Sequence, residues 1–172
     1  MLTKNSRYLM VFGLIVLAVL SRFLPHPANF SPVIGIALFA GARFSSRLLA
    51  ILVPILAMAI SDLYLGWHST LPYVYVGMAL VVFCGWKSLK TVNTVNLKMG
   101  LTASVAAVGF FLISNFGVWT TQNMYTHDLN GLVTCYIMAL PFFPATLISA
   151  LVYSIALFGL QQLAESSLRK TV

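Results

Sequence analysis

Apolar runs of roughly 14 to 20 residues follow one another along this chain, a length suited to crossing the ~30 Å hydrocarbon core of a bilayer as helices. Hardly a charge interrupts them. Only 8% of the 172 residues are charged and 60% are hydrophobic, with a mean hydropathy of +0.94. A soluble domain carries about 25% charged residues. The runs also lack the strict alternation of barrel strands. The sequence therefore predicts an all-α integral membrane protein, residues 1–172 forming a single transmembrane domain.

Two other classes fall away quickly. The net charge of +7 comes without a basic cluster or interleaved aromatics, so it points to membrane topology and not to nucleic acid. Cys84 and Cys135 have no CxxC or Cys/His ligand spacing and read as small apolar residues. Lys4 and Arg7 precede the first apolar run as in a signal peptide. No A-x-A-like cleavage site follows, so the run is expected to stay as a helix.

Taken in order, the first helix is expected from about Tyr8 to Phe23. Pro25, Pro27 and Pro32 then exclude regular helix, and Ser31-Pro32 supplies a cap and first position for a second helix, Pro32 to Phe44. Ala37 and Gly41, four apart, would let another helix approach closely. A third helix, Leu48 to Leu65, carries Pro54 as an expected kink, and a fourth starts around Thr70-Leu71-Pro72 and ends at Trp86. The polar segment Lys87 to Lys98 reads as a linker. The fifth helix, Met99 to Trp119, has Gly100/Ser104 and Ala103/Ala107 as small pairs, and a loop from Thr120 to Asn130 follows. Gly131 to Leu163 is too long for one span, and Pro141 and Pro144 divide it into a short interfacial helix, Gly131 to Leu140, and a last span, Pro144 to Leu163.

Six spans put Lys4, Arg7, Arg43, Arg47, Lys87, Lys90, Lys98, Arg169 and Lys170 on one side and Arg22 alone on the other. By the positive-inside rule, both termini are expected in the cytoplasm.

The outward side then collects the unusual residues. Asp62 is the only carboxylate inside a long apolar segment, where a charge costs roughly 3 kcal/mol and needs a partner or a cavity. His26, His68, His127, Asp128, Arg22, Asn29, Asn115 and Trp119 fall on or near the same side. The sequence predicts a pocket with Asp62 and Asn115 as floor and Arg22, His26, Asn29, His68 and Trp119 as rim, backed by Phe30, Tyr64 and Tyr73. Each residue also has a plainer account. Asp62 pairs with Arg22, His26 is a turn residue between prolines, His68 snorkels to the interface, Trp67, Trp86 and Trp119 form an aromatic belt, and His127 and Asp128 are solvated loop. Asn115 is harder to explain so, because asparagine in an apolar helix needs a hydrogen-bond partner.

No H-E-x-x-H, G-x-S-x-G, Walker A or dinucleotide fingerprint is present. The chain is not expected to be an enzyme or to carry a cofactor or metal. Without a nucleotide site, active transport would need an ion gradient or a separate motor.

Four segments carry a resemblance. Arg22-Phe-Leu-Pro-His-Pro-x-Asn-Phe-Ser-Pro-Val33, Ser61-Asp-Leu-x-Leu-Gly-x-His-Ser-Thr70, Asn115-Phe-Gly-Val-Trp119 and Cys135-Tyr-x-x-Ala-Leu-Pro-Phe-Phe143 resemble a family of uncharacterised bacterial six-helix membrane proteins labelled as transport proteins. More loosely, the architecture is similar to the substrate-binding S-components of energy-coupling factor (ECF) vitamin transporters. That likeness implies an S-component-like bundle in the bacterial inner membrane, an outward pocket for a vitamin-like solute, and a separate coupling subunit with ATPases. Cobalamin or another vitamin is then a candidate substrate. Cys135 and His26 lie at a suitable depth for a cobalt ligand and Cys84 does not, but nothing in the residues selects either. Two alternatives stand beside uptake: a non-transporting scaffold whose polar residues bridge helices or contact a partner protein, and a membrane enzyme using Asp62 with His26 or His68.

Overall fold

The structure, a computed structural model, describes residues 4–170 apart from His26 and Asn93, with side chains described from Phe12 to Ser166. Among these residues helix is the only regular secondary structure. α1 covers Lys4–Phe23, α2 Val33–Arg43, α3 Arg47–Leu65, α4 Leu71–Leu89, α5 Leu97–Thr121, α6 Leu129–Ala139 and α7 Phe143–Lys170, with a single 3-10 turn, Leu140–Phe142, between the last two. Arg47–Leu65, Leu71–Leu89, Leu97–Thr121 and the run Leu129–Ser166 are each long and apolar enough to cross a membrane.

Local chemistry sets the boundaries. Asn96 caps α5 by accepting from the Met99 N–H at 3.0 Å, and Ser46 caps α3 through the Leu49 N–H. The non-helical stretch between α4 and α5 is consequently shorter than the polar linker the composition suggests. α5 runs to Thr121, where the Thr120 and Thr121 hydroxyls donate to Gly117 O. α7 outlasts its apolar part because Gln161 and Glu165, one turn apart, bond to each other at 2.7 Å. Pro141 sits in the 3-10 turn and divides the final apolar stretch there, as its ring requires.

The centre of the molecule is α2. Every residue from Val33 to Ala42 is buried, although the helix is only 11 residues long. At 1.5 Å per residue that is about 16 Å, roughly half a bilayer core. Glycines let α4 lie directly against it. A Cβ on Gly41 would fall 2.1 Å from Val82 O, and one on Gly85 would fall 2.2 Å from Leu38 O. On its other side α2 meets α7, with Gly35 against Ser154, Phe39 against Phe158 and Arg43 against Gln161. Partners that advance together show that α2 and α7 run parallel. Of the small residues expected at helix contacts, Ala37, Gly41, Ala103 and Ala107 are buried within the chain, whereas Gly100 and Ser104 are only half-buried and Gly100 has nothing within 4 Å of its Cβ position.

The two ends of the bundle differ. At one, Arg43 donates to Leu89 O at 3.2 Å and to Val92 O, and lies over the Phe158 ring at 4.8 Å. It ties the end of α2 to the α4–α5 connection and to α7. Arg47 lies 4.1 Å over the Trp86 ring at this same end, which we call the basic end. The other end carries the candidate site.

Candidate functional site

Asp62 lies one turn from the end of α3 and is 1% exposed. Its Oδ1 accepts from Arg22 Nη2 at 2.6 Å, so α1 and α3 are joined by an ion pair. The Tyr75 hydroxyl in α4 approaches Oδ2 at 3.4 Å. Met58, four residues before Asp62 and hence on the same face of α3, offers its sulfur to Arg22 Nη1. Arg22 remains 19% exposed, and its Nε–H is buried with no partner among the described residues. The pair is charge-neutral but not saturated. One buried donor is left unpaired.

Other expected site residues find separate, local partners. The Asn115 amide donates to Phe111 O of its own helix at 2.8 Å, and Asn115 O accepts weakly from the Cys135 thiol at 3.5 Å. Its amide nitrogen is thus bonded within its own helix and does not reach Asp62. α4 packs against both α3 and α5 and stands between the two residues. Trp119 donates its indole N–H to Thr126 O at 2.9 Å and stacks edge-on with His127 at 5.8 Å. With Phe116 and Tyr73 it forms an aromatic cluster on the opposite side of α4 from Asp62. His68 Nδ1 and the Thr70 hydroxyl are 2.6 Å apart in the α3–α4 turn. Tyr64 is exposed against Phe23. His26 lies outside the described residues.

Asp128 turns out to be a helix cap. Its carboxylate accepts from the Gly131 N–H at 2.7 Å and from the Thr126 hydroxyl at 2.8 Å. These two bonds hold its carboxyl below the ordinary carboxylate value.

The proline-rich segment between α1 and α2 supplies the most unusual backbone. Asn29 is left-handed at φ 63°, a conformation asparagine tolerates better than most residues. Phe30 N–H closes a turn on Pro27 O at 3.0 Å. The segment is pinned to α7, with the Ser149 hydroxyl 3.5 Å from Asn29 O and the Phe30 ring 5.8 Å from Tyr153. Ser31 Oγ then accepts from Val33 N–H at 3.3 Å to start α2. Measured from Phe143, Ser149 and Tyr153 lie about 9 and 15 Å along α7. The non-helical segment thus sits alongside an apolar helix, well inside its start.

A family model described as a family of unknown function, DUF6580, matches residues 2–171. The chain belongs to this family. No curated protein and no solved structure matches it.

Within this member, sequence reasoning missed Tyr75, Met58, Ser149 and Tyr153. One signal was available for Tyr75, since a tyrosine hydroxyl inside an apolar helix requires a partner. The contacts of Met58 and Tyr153 depend on helix crossings that no local pattern encodes.

Proposed function

We propose that this protein is a six-span, S-component-like protein of the bacterial inner membrane, both termini cytoplasmic, that binds a small polar or vitamin-like solute from outside for uptake. The carrying observation is the non-helical segment between α1 and α2 held beside Ser149 and Tyr153 of α7. Backbone without helical hydrogen bonds is tolerated at membrane depth only where protein buries it or water reaches it. Leu24, Pro25, Pro27, Ala28 and Asn29 are exposed, so the water-filled alternative fits. Interrupted helices of this kind are where membrane transporters place their substrates. Arg22 opens the segment, and the exposed part of its guanidinium, beside the Asp62 pair, is the polar handle for a solute. Asn29, exposed on the same segment, is a second candidate contact. With no nucleotide motif in the chain, uptake would draw on an ion gradient or on a partner coupling subunit with ATPases.

A second reading has its own observation. Asn115, Trp119 and His68 each bond a side-chain nitrogen to a partner within a few residues, as structural groups in a non-transporting scaffold would.

Thiol access separates the two. In a background lacking Cys84 and Cys135, Ala28→Cys should react in sealed right-side-out vesicles with a membrane-impermeant thiol reagent. Co-purified solute should be detected by mass spectrometry and lost in Arg22→Gln. A silent Ala28→Cys in folded protein, with no retained solute, would leave the scaffold reading.

A further inference from the structure

α3 and α4 are tied together at two levels, by Asp62–Tyr75 near one end and by Arg47–Trp86 at the basic end. Just inside the second tie lies a cavity of about 230 Å³, lined by Gly41, Phe44, Arg47, Ala50, Ile51, Ala79, Val82, Phe83 and Trp86. It exists because Gly41, Ala50 and Ala79 present almost no side chain where three helices meet. Phe83 is exposed at its edge, so the cavity opens sideways between α3 and α4 and is a groove in the outer wall of the bundle.

Its chemistry is one-sided. All the lining side chains are apolar except Arg47, whose guanidinium is exposed and held in place over the Trp86 ring. Among the described residues Arg47 makes no ion pair, whereas Arg22 is paired with Asp62 and Arg43 is spent on carbonyls and Gln161. A fixed cation with free donors at the end of an apolar slot complements an amphiphile with an anionic head. The volume lies below the ~300 Å³ at which pockets for whole small molecules begin, and so suits part of a chain better than a compact solute. Lys87 and Lys90 belong to the same helix end as Trp86 and add to the positive field there.

We infer that this groove is a binding site for one anionic phospholipid, with an acyl chain between α3 and α4 and its phosphate on Arg47. The site is independent of the α1–α2 segment on which the proposed function rests. Arginine is well matched to this role because its planar fork bonds phosphate oxygens in pairs while its face stays on the aromatic ring.

The test is native mass spectrometry of the delipidated full chain in mild detergent, titrated with dioleoyl phosphatidylglycerol or dioleoyl phosphatidylcholine. The wild type should retain one phosphatidylglycerol in preference to phosphatidylcholine. Arg47→Gln should reduce that preference about fivefold, the weight of one basic residue near an anionic leaflet. Ala79→Phe, which fills the slot, should abolish retention of the lipid, and Lys98→Gln at the same end should change nothing. Glycerol phosphate should not compete, and dihexanoyl phosphatidylglycerol should compete poorly. Should Ala79→Phe fail to fold, the short-chain lipid still reports on the slot. Undiminished retention in Arg47→Gln, an equal loss in Lys98→Gln, or full competition by glycerol phosphate or the short-chain lipid would overturn the site.

Discussion

Arg22 and Asp62, 40 positions apart in sequence, meet at 2.6 Å across the contact of α1 with α3. The carboxylate is almost completely buried and the guanidinium is mostly so. Removing either partner strands the other in low dielectric, at an expected cost of about 3 kcal/mol. Arg22→Ala and Asp62→Ala should each lower the melting temperature in detergent, and the double variant should lose less than the two together. Strict additivity would mean that the two residues do not couple.

The α2–α4 crossing makes a contrasting prediction about glycines. At Gly41 an added methyl would strike Val82 O, and at Gly85 it would strike Leu38 O, in both cases backbone that cannot step aside. Gly41→Ala and Gly85→Ala should each destabilise by about 1–3 kcal/mol as the helices are forced apart. Gly100, inside α5, has nothing within 4 Å of its Cβ position. Gly100→Ala should therefore gain about 0.5–1 kcal/mol from helix propensity. Thermal melts of the three variants, measured side by side, would refute this packing if they shifted alike.

Asp128 predicts a pH effect confined to one helix. Its carboxyl is held below the ordinary value by Gly131 N–H and Thr126, so the stability it gives α6 is fully present above the unfolded value. That contribution is lost as pH falls through the depressed value. Protection of the Gly131 amide, its exchange rate relative to the intrinsic rate at each pH, should therefore fall in acid. Asp128→Ala should show low protection at every pH, and Asp128→Asn, which keeps a capping oxygen, should remove the pH dependence of protection. Acid-independent protection in the unsubstituted protein would contradict the cap.

Topology is testable at two exposed loop positions, Thr94 between α4 and α5 and Asn123 between α5 and α6. Single cysteines there, in a background without Cys84 and Cys135, should be labelled from opposite sides of the membrane. Position 94 should react from the cytoplasm, the side given by the basic residues. Labelling of both from one side would remove α5 as a span.

The sequence by itself marked out the helices. Long apolar runs with few charges favour helix, four of the resulting stretches are long and apolar enough to cross a membrane, and Ser46, Asn96, Pro72 and Pro141 mark boundaries through local effects that reach no further than a few residues. Asp62 announced a partner because an isolated charge in an apolar helix is costly, and Arg22 was the one cation on that side. The expected single pocket asked more of the sequence than it holds. Asn115 bonds to Phe111 in its own helix, a choice open to any asparagine and invisible in the residue string. Likewise the Trp119 indole donates to Thr126 O, and the Asn29 backbone carbonyl faces the Ser149 hydroxyl. Only the tertiary structure decided that the short α2 is buried on every side, that Gly41 and Gly85 bring α4 onto it, and that the Arg47 groove exists. Those outcomes depend on which helix faces meet, and that is set by the packing of residues far apart in the chain.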